Sequence, residues 1–210
     1  NGNPLPLNNG KIEQLVRPYS AVKNQLQSFF DDGYTNRNNI SIDGGDDKFT
    51  YYFSYTNYNS KGIVPHTNYY KNNFLFNASA NFSEKFNTSF SLNYTRLDQR
   101  GATEGGYSFG FSSATPAYAF ALQTPVNIPF SEMRDYNNPY QDFKGFYAQY
   151  SVNPYYILAE QKVQNSVDNV IANVAFNYLP MKDLTLTARA STNFNISRVA
   201  ESNPKFTYLR

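Results

Sequence analysis

The sequence lacks cysteine altogether and contains a single histidine, His66. Without cysteine the chain cannot form disulfides, thiolate metal sites or cysteine nucleophiles. His66 lies in a predicted loop with no second metal ligand close to it in the sequence, so we expect it to be structural or solvated. The sequence shows no paired carboxylates suited to a cleft, no phosphate-binding loop and no nucleophile with its base. We therefore predict neither an enzyme nor a cofactor.

Charged residues are also scarce. They make up 16% of the 210 residues, and the formal net charge is +2. There is no basic stripe, so we expect no nucleic-acid partner. No stretch approaches the roughly 20 consecutive apolar residues that a membrane-spanning helix needs. The chain opens Asn1-Gly2-Asn3-Pro4, without a methionine or a signal peptide, and we expect it to be an internal piece of a longer precursor.

Aromatic residues, by contrast, are abundant, and they occur within a regular alternation of apolar and polar positions. Tyr and Phe number 19 and 18. From Asn73 to Phe82 every second residue is Phe or Ala, and the residues between them are Asn or Ser, with Leu75 as the exception. Successive side chains of a strand point to opposite faces, so such a strand has one apolar face and one uncharged polar face. Strands of transmembrane β-barrels have this pattern, with lipid outside and water inside.

The alternation predicts three strand pairs joined by tight polar turns. They comprise residues 36–43 with 48–57, 69–83 with 87–98, and 167–178 with 184–197. Helical spacing of Val22, Leu26 and Phe29 predicts a short helix over residues 20–30. The predicted organisation is an external loop with this helix (1–34), barrel strands in two hairpins (35–99), a long extracellular loop (100–166), a barrel hairpin (167–197) and the start of the next extracellular loop (198–210).

The predicted connections alternate between short and long. Bacterial outer-membrane barrels have short periplasmic turns and long external loops, so the alternation also orients the strands. Six strands are too few for a barrel with a polar interior, and open sheet edges cannot lie in lipid. We therefore predict an all-β fold: a segment of a transmembrane antiparallel β-barrel that pairs with further strands.

Four stretches of the sequence together carry a resemblance to a known family. They are Asn38-Asn39-Ile40-Ser41-Ile42-Asp43-Gly44-Gly45-Asp46-Asp47-Lys48 with Tyr51-Tyr52-Phe53-Ser54-Tyr55 and Lys61-Gly62-Ile63-Val64-Pro65, the strands from Tyr70 to Arg96, Asn153-Pro154-Tyr155-Tyr156-Ile157-Leu158, and Leu179-Pro180-Met181-Lys182-Asp183-Leu184-Thr185-Leu186. By their order and spacing, rather than by any one of them, these stretches resemble the SusC/RagA-like TonB-dependent transporters of Bacteroidetes. The resemblance spans roughly residues 29–197.

The resemblance implies a 22-stranded plugged barrel in the bacterial outer membrane, of which this chain would supply about six early strands after the plug. It implies import of oligosaccharides or oligopeptides, with a SusD-like surface lipoprotein as lid and the TonB complex displacing the plug. The chain would also contact the remaining strands, the plug and outer-membrane lipid. Two alternatives remain open: a non-transporting surface β-domain that binds glycans or anchors a complex, and a passive porin.

Loop 100–166 supplies the candidate ligand-binding residues, because long loops are commonly functional and aromatic faces beside Asn, Gln and Asp suit sugar rings or peptide side chains. The other interpretation is that these aromatics pack the loop. The predicted ligand contacts are Tyr107, Phe109, Phe111, Tyr118, Phe120, Tyr136 and Tyr140. On the polar strand face we predict that Arg189, Asn173 and Asn77 point into the lumen. For Arg189, contact with the plug and simple solvation are equal alternatives.

The stretch from Asp43 to Asp47 has the composition of an oxygen-rich calcium loop, but it lacks the full ligand spacing and the closing Glu. Gly combined with Asp is ordinary turn chemistry, so we predict a turn and no metal site.

Overall fold

The long strands form one antiparallel sheet in which neighbours in sequence are neighbours in space. The computed structural model describes residues 5–6, 12–13, 19–101, 116–137, 153–160 and 162–202. Among these residues, β1 (Leu5–Pro6) and β2 (Ile12–Glu13) make a two-residue pairing, and six long strands form the sheet in the order β3-β4-β5-β6-β7-β8. The six are β3 Tyr34–Gly45, β4 Phe49–Lys61, β5 Asn68–Ser83, β6 Phe86–Gly101, β7 Lys162–Met181 and β8 Leu184–Ser202.

The observed strands are longer than the sequence pattern predicts. All three predicted hairpins are present, but β4 and β5 are joined by residues 62–67 alone, where a connection over 58–68 was expected. Likewise β6 ends at Gly101 and β7 begins at Lys162, so strand pairing consumes both ends of the predicted loop 100–166. The residues added around these two connections are mostly polar, such as Asn59-Ser60-Lys61 in β4 and Gln164-Asn165-Ser166 in β7, and the apolar alternation on which the prediction depended fades there.

The predicted helix over 20–30 is wrong in extent. The structure has a single turn of 3₁₀ helix, Gln27–Phe29, preceded by hydrogen-bonded turns. Asn24 adopts a positive φ of 53°, which interrupts a right-handed helix before it can propagate. Phe29 is nevertheless fully buried, whereas Leu26 is 37% exposed, so only part of the apolar spacing reflects packing.

The turn between β3 and β4 explains the Gly-Asp composition noted in the sequence. Gly45 has φ +152°, and a Cβ at this position would collide with the carbonyl oxygen of Phe49. The Asp46 carboxylate accepts hydrogen bonds from the backbone N–H groups of Lys48 and Phe49, each at 2.8 Å, and these bonds lower its pKa. Asp46 thus closes the turn as an Asx motif. The described residues contain no cluster of metal-ligating side chains.

The buried core lies outside the sheet, in a small helical unit at the end of the strands opposite the tight turns. We call this end of the sheet the loop end, and the other the turn end. The unit comprises the segment around Phe29 together with α1 Pro116–Gln123, α2 Phe130–Met133 and α3 Pro154–Glu160. Its buried apolar residues are Phe29, Ala117, Ala121, Ile128, Phe130, Met133, Tyr155, Ile157 and Leu158.

Asn153 and Pro154 begin α3 in a way that accounts for the Asn-Pro stretch. The Asn153 side chain accepts a hydrogen bond from the N–H of Tyr155 at 3.0 Å, as an N-cap residue does, and its amide donates to the carbonyl of Met133 at 2.9 Å. Pro154 occupies the first helical position, where its missing N–H has no cost. Asn153 is fully buried, so the cap also joins α3 to α2.

The sheet itself leaves large apolar side chains uncovered. Ile40, Phe82 and Phe194 are 67%, 69% and 56% exposed, although each lies in regular strand. Within the described part of the chain, no helix has the length and apolar character to cross a membrane. The apolar side chains of the sheet therefore need a covering that the described residues do not provide.

Candidate functional site: the polar face of the sheet

The strand register separates the side chains of the sheet into two chemically distinct faces. Phe74 pairs with Tyr55 and Tyr94, while the neighbouring Asn73 pairs with Thr56 and Thr95. The pattern continues across β7 and β8, where Val170 faces Phe194 and Asn169 faces Asn195. We call these the apolar face and the polar face.

The apolar face forms a band bounded by aromatic residues at each edge. At the turn end, the rings of Phe82 and Phe86 stack with centroids 5.5 Å apart, and Phe86 stacks on Phe176. At the loop end, the Phe74 ring lies 4.7 Å from that of Tyr55. Eight residue steps separate Phe74 from Phe82, which is about 27 Å along the strand and about 21 Å along the membrane normal at a tilt of about 40°. That height approaches the roughly 25 Å apolar band of a membrane barrel.

Directly beyond this band, toward the loop end, the same face carries a network of ion pairs. Arg96 donates two hydrogen bonds to the Asp98 carboxylate, both at 2.9 Å, and one to Asp168 at 2.6 Å. Arg198 also binds Asp168, at 3.1 Å, and the Tyr94 hydroxyl donates to it at 2.8 Å. The change from aromatic to charged side chains defines where the apolar band ends.

The polar face holds its own amides and hydroxyls in cross-strand ladders. The Asn73 amide donates to Asn93 at 2.6 Å and to Thr95 at 2.9 Å. Asn39 makes the same contacts one hairpin earlier, donating to Ser54 and Thr56. Such cross-strand pairs stabilise the sheet and fix the orientation of each amide.

Two concave regions lie on the polar face. The middle one has a volume of about 640 Å³ and includes Asn77, Asn173 and Arg189 in its lining. The second, at the loop end, has a volume of about 630 Å³. Its lining residues are Arg37, Thr56, Tyr58, Ser60, Tyr69, Lys71, Asn73, Asn93 and Thr95.

Comparison with known proteins gives the same architecture. The chain is 23% identical over 174 residues to TonB-dependent receptor P26 of Formosa agariphila, a match that covers 81% of this chain and 16% of the receptor. The RagAB peptide importer in its open-open state matches 88% of this chain with a TM-score of 0.66 at 20% identity, and 20% of that structure's chain is covered. The closed-closed state matches the same shares with a TM-score of 0.62 at 18% identity. No protein-family model matches the chain.

The resemblance to the SusC/RagA-like TonB-dependent transporters is confirmed. At this level of identity the likeness to RagAB establishes the fold, so the six strands are a segment of an antiparallel β-barrel wall, as predicted. The chain spans about a fifth or less of the length of the proteins that it matches.

In this barrel-wall segment, the predicted residues Asn77, Asn173 and Arg189 line the same concave region of the polar face. The register places Asn77 opposite Ser91, and Ser91 opposite Asn173, in a single row across three strands. Arg189 of β8 pairs with Ala175 in the next row and lines the same concave region. Their role in facing a lumen or a plug stays a prediction.

The aromatic residues predicted to bind ligand have three different placements. Tyr107, Phe109, Phe111 and Tyr140 lie outside the described residues. Tyr118 on α1 is 40% exposed, whereas Phe120 packs against the core of the helical unit. Tyr136 donates a hydrogen bond to Glu160 at 2.8 Å and contacts the ring of Tyr156 edge-on. Burial and the bond to Glu160 raise the pKa of Tyr136. Phe120 and Tyr136 therefore have structural contacts, while Tyr118 is the more exposed residue although its ring lies 6.2 Å from that of Phe30.

A third cavity, of about 450 Å³, lies between the helical unit and the loop ends of the strands. Asp31 binds Lys61 at 3.2 Å and Arg134 at 3.0 Å, joining the sheet to α2. Burial acts to raise the pKa of Asp31, but the hydrogen bonds from Arg134 and Lys61 outweigh it and lower the pKa. His66 also lines this cavity, and burial, followed by repulsion from Arg100, lowers the pKa of its imidazole.

Sequence reasoning missed the loop-end site on the polar face. Its charged members, Arg37 and Lys71, are far apart in sequence and fall in segments read only as strand ends or strands. The available signal was that each residue lies at a polar-face position in the alternation of its strand. The pairing of β3, β4 and β5 then brings the two residues into one row.

Proposed function

We propose that this chain forms part of the wall of an outer-membrane active transporter that imports oligosaccharides or oligopeptides. The single observation that carries the proposal is the two-faced barrel segment, which matches the RagAB importer over 88% of the chain. Its apolar face would contact lipid, and its polar face would line a water-filled lumen. The bacterial outer membrane is the location that such a wall requires.

The amide and hydroxyl side chains of the polar face suit a nutrient route. They offer hydrogen bonds without strong charge, so a polar solute can exchange water for protein contacts as it passes. We further propose that the helical unit and the external loops form a vestibule, where a SusD-like lipoprotein delivers substrate. Movement of a plug by the TonB complex would then open the route, through parts of the protein outside this chain.

Uptake measured in cells tests this function. A strain lacking the complete gene is compared with a strain in which the protein is present but TonB is removed, using fluorescently labelled oligosaccharides and oligopeptides. We expect both strains to lose uptake of the same compounds. Uptake that requires the protein but persists without TonB would identify a passive porin. Recovery of the intact protein in the aqueous fraction without detergent would instead support a soluble surface β-domain.

A further inference from the structure

The loop-end concave region places two cations on either side of an aromatic ring. The register sets Arg37 of β3 opposite Tyr58 of β4, and Tyr58 opposite Lys71 of β5. These residues share the polar face, and two strand spacings put the backbones that carry the cations about 10 Å apart. A ligand lying over Tyr58 could place anionic groups within reach of both long side chains.

The two cations are available to a ligand. Among the described residues, the side chains of Arg37 and Lys71 take part in none of the ion pairs or side-chain hydrogen bonds of the fold. The polar face carries carboxylates in its strands at Asp43 and Glu201, and neither lines this region. On the apolar face, by contrast, Arg96 is neutralised by Asp98 and Asp168.

The floor between the cations is already ordered, and its chemistry suits a sugar. Asn73 is fixed by Asn93 and Thr95, so its orientation needs no reorganisation on binding. The rings of Tyr58 and Tyr69 meet edge to face, with centroids 5.5 Å apart and an interplanar angle of 89°. The lining residues are hydroxyl, amide, phenol or cationic, and none of those described is aliphatic. Aromatic rings beside hydroxyls and amides match a pyranose, whereas a peptide would also need apolar contacts for its side chains.

We propose that this region is a substrate subsite for an acidic oligosaccharide, one that carries carboxylate or sulfate groups. The proposal rests on the proposed transport function and narrows its substrate class. Arg37 and Lys71 would bind the anionic groups through charge-assisted hydrogen bonds, and Tyr58 would contact the sugar ring. Arg37 can engage a carboxylate or sulfate through two parallel hydrogen bonds, whereas Lys71 acts as a point charge.

Calorimetric titration of the full-length purified protein tests the subsite. The probes are trigalacturonic acid, its fully methyl-esterified form and triglutamate, at low and high salt. We expect the acid to bind at least tenfold more tightly than the ester, with an advantage that shrinks at high salt. Lys71→Gln and Arg37→Gln should each weaken binding of the acid about tenfold and leave the ester unchanged. Lys71→Arg should retain most of the affinity.

Two further variants separate the parts of the site. Lys85→Gln removes a cation from the turn at the opposite end of the sheet and should leave all three affinities unchanged. Tyr58→Leu should weaken binding of acid and ester alike, because it removes the ring and not the charge.

Three results would contradict the proposal. Equal binding of acid and ester, or an affinity for the acid that is unchanged by Lys71→Gln and Arg37→Gln, would overturn the anionic subsite. Tighter binding of triglutamate than of trigalacturonic acid would overturn the choice of a saccharide. Each of these results is independent of TonB-dependent uptake, which tests the proposed function separately.

Discussion

Arginine introduced at Ala78 should destabilise the protein strongly, whereas arginine at the adjacent Asn77 should not. Ala78 lies on the apolar face of β5, between Tyr51 of β4 and Phe90 of β6. Asn77 lies on the polar face, opposite Ser91. The two variants add the same charge one residue apart, so they differ only in the face that receives it.

The expected magnitude follows from the position of Ala78 in the apolar band. It lies four residues from the aromatic residues at each edge, Phe74 and Phe82, which places it about 10 Å from either edge along the membrane normal. An arginine on the lipid face costs about 2–4 kcal/mol at the bilayer midplane and about 0–1 kcal/mol near the interfaces. We therefore expect Ala78→Arg to lower the free energy of unfolding by about 2–4 kcal/mol. Asn77→Arg should stay within about 0.5 kcal/mol of the parent, as a solvated substitution does.

The assay is urea unfolding of the full-length protein reconstituted in lipid vesicles, followed by far-ultraviolet circular dichroism. Phe74→Arg places the same charge at the loop-end edge of the apolar band. Its loss of stability relative to Phe74→Ala, which also lacks the ring, should be smaller than the loss caused by Ala78→Arg. Equal destabilisation by Ala78→Arg and Asn77→Arg would refute the assignment of the faces. A larger effect at Asn77 would mean that the faces are reversed.

Three further outcomes are expected. Asn153→Ala removes a helix cap and a buried hydrogen bond, so it should destabilise the helical unit by about 1–3 kcal/mol. The measurement is amide hydrogen exchange over 153–160, which should become faster, whereas the control Asn195→Ala on exposed β8 should leave this exchange unchanged. Gly45→Ala should cost about 1–3 kcal/mol in the urea assay because its Cβ meets the Phe49 carbonyl, while Gly101→Ala meets open space and should be neutral. Asp31 has a lowered pKa, so its ion pairs should stabilise the helical unit above pH 3.8, and this stabilisation should be lost as the pH falls through the folded pKa. Proteolysis of the unit should therefore become faster at acidic pH, and Asp31→Asn should abolish this acid-dependent increase in proteolysis.

Much of the sheet could be predicted from the sequence because barrel strands carry a period-two signal. Phe76, Ala78 and Ala80 alternate with Asn77, Ser79 and Asn81, and this alternation predicted the hairpins and their faces. The strand ends were underestimated because Asn59, Ser60 and Lys61 continue β4 without an apolar alternation. Only pairing with β3 and β5 defines those residues as strand.

The helical unit was less accessible to sequence reasoning. Phe29, Phe130 and Tyr155 are distant in the chain, and their mutual packing depends on how the long connection folds back. A single buried side chain such as Asn153 has no periodic signal, although Asn before Pro is a typical start of a helix. The row of Arg37, Tyr58 and Lys71 likewise depends on three strands, so it emerges only from the register.

The most direct test of the account is the accessibility of single cysteines along β5. The chain has no cysteine of its own, so once any cysteine elsewhere in the full-length protein is replaced by serine, each thiol introduced from Asn73 to Phe82 is the single labelling site. Intact outer membranes carrying the full-length protein would be treated with a membrane-impermeant maleimide, with Lys85→Cys in the exposed turn as the positive control after membrane disruption. The account predicts labelling with a period of two, strong at positions 73, 75, 77, 79 and 81 and weak at the positions between them. Uniform labelling along the strand, or strong labelling of the apolar positions, would contradict a wall with lipid on one face and water on the other.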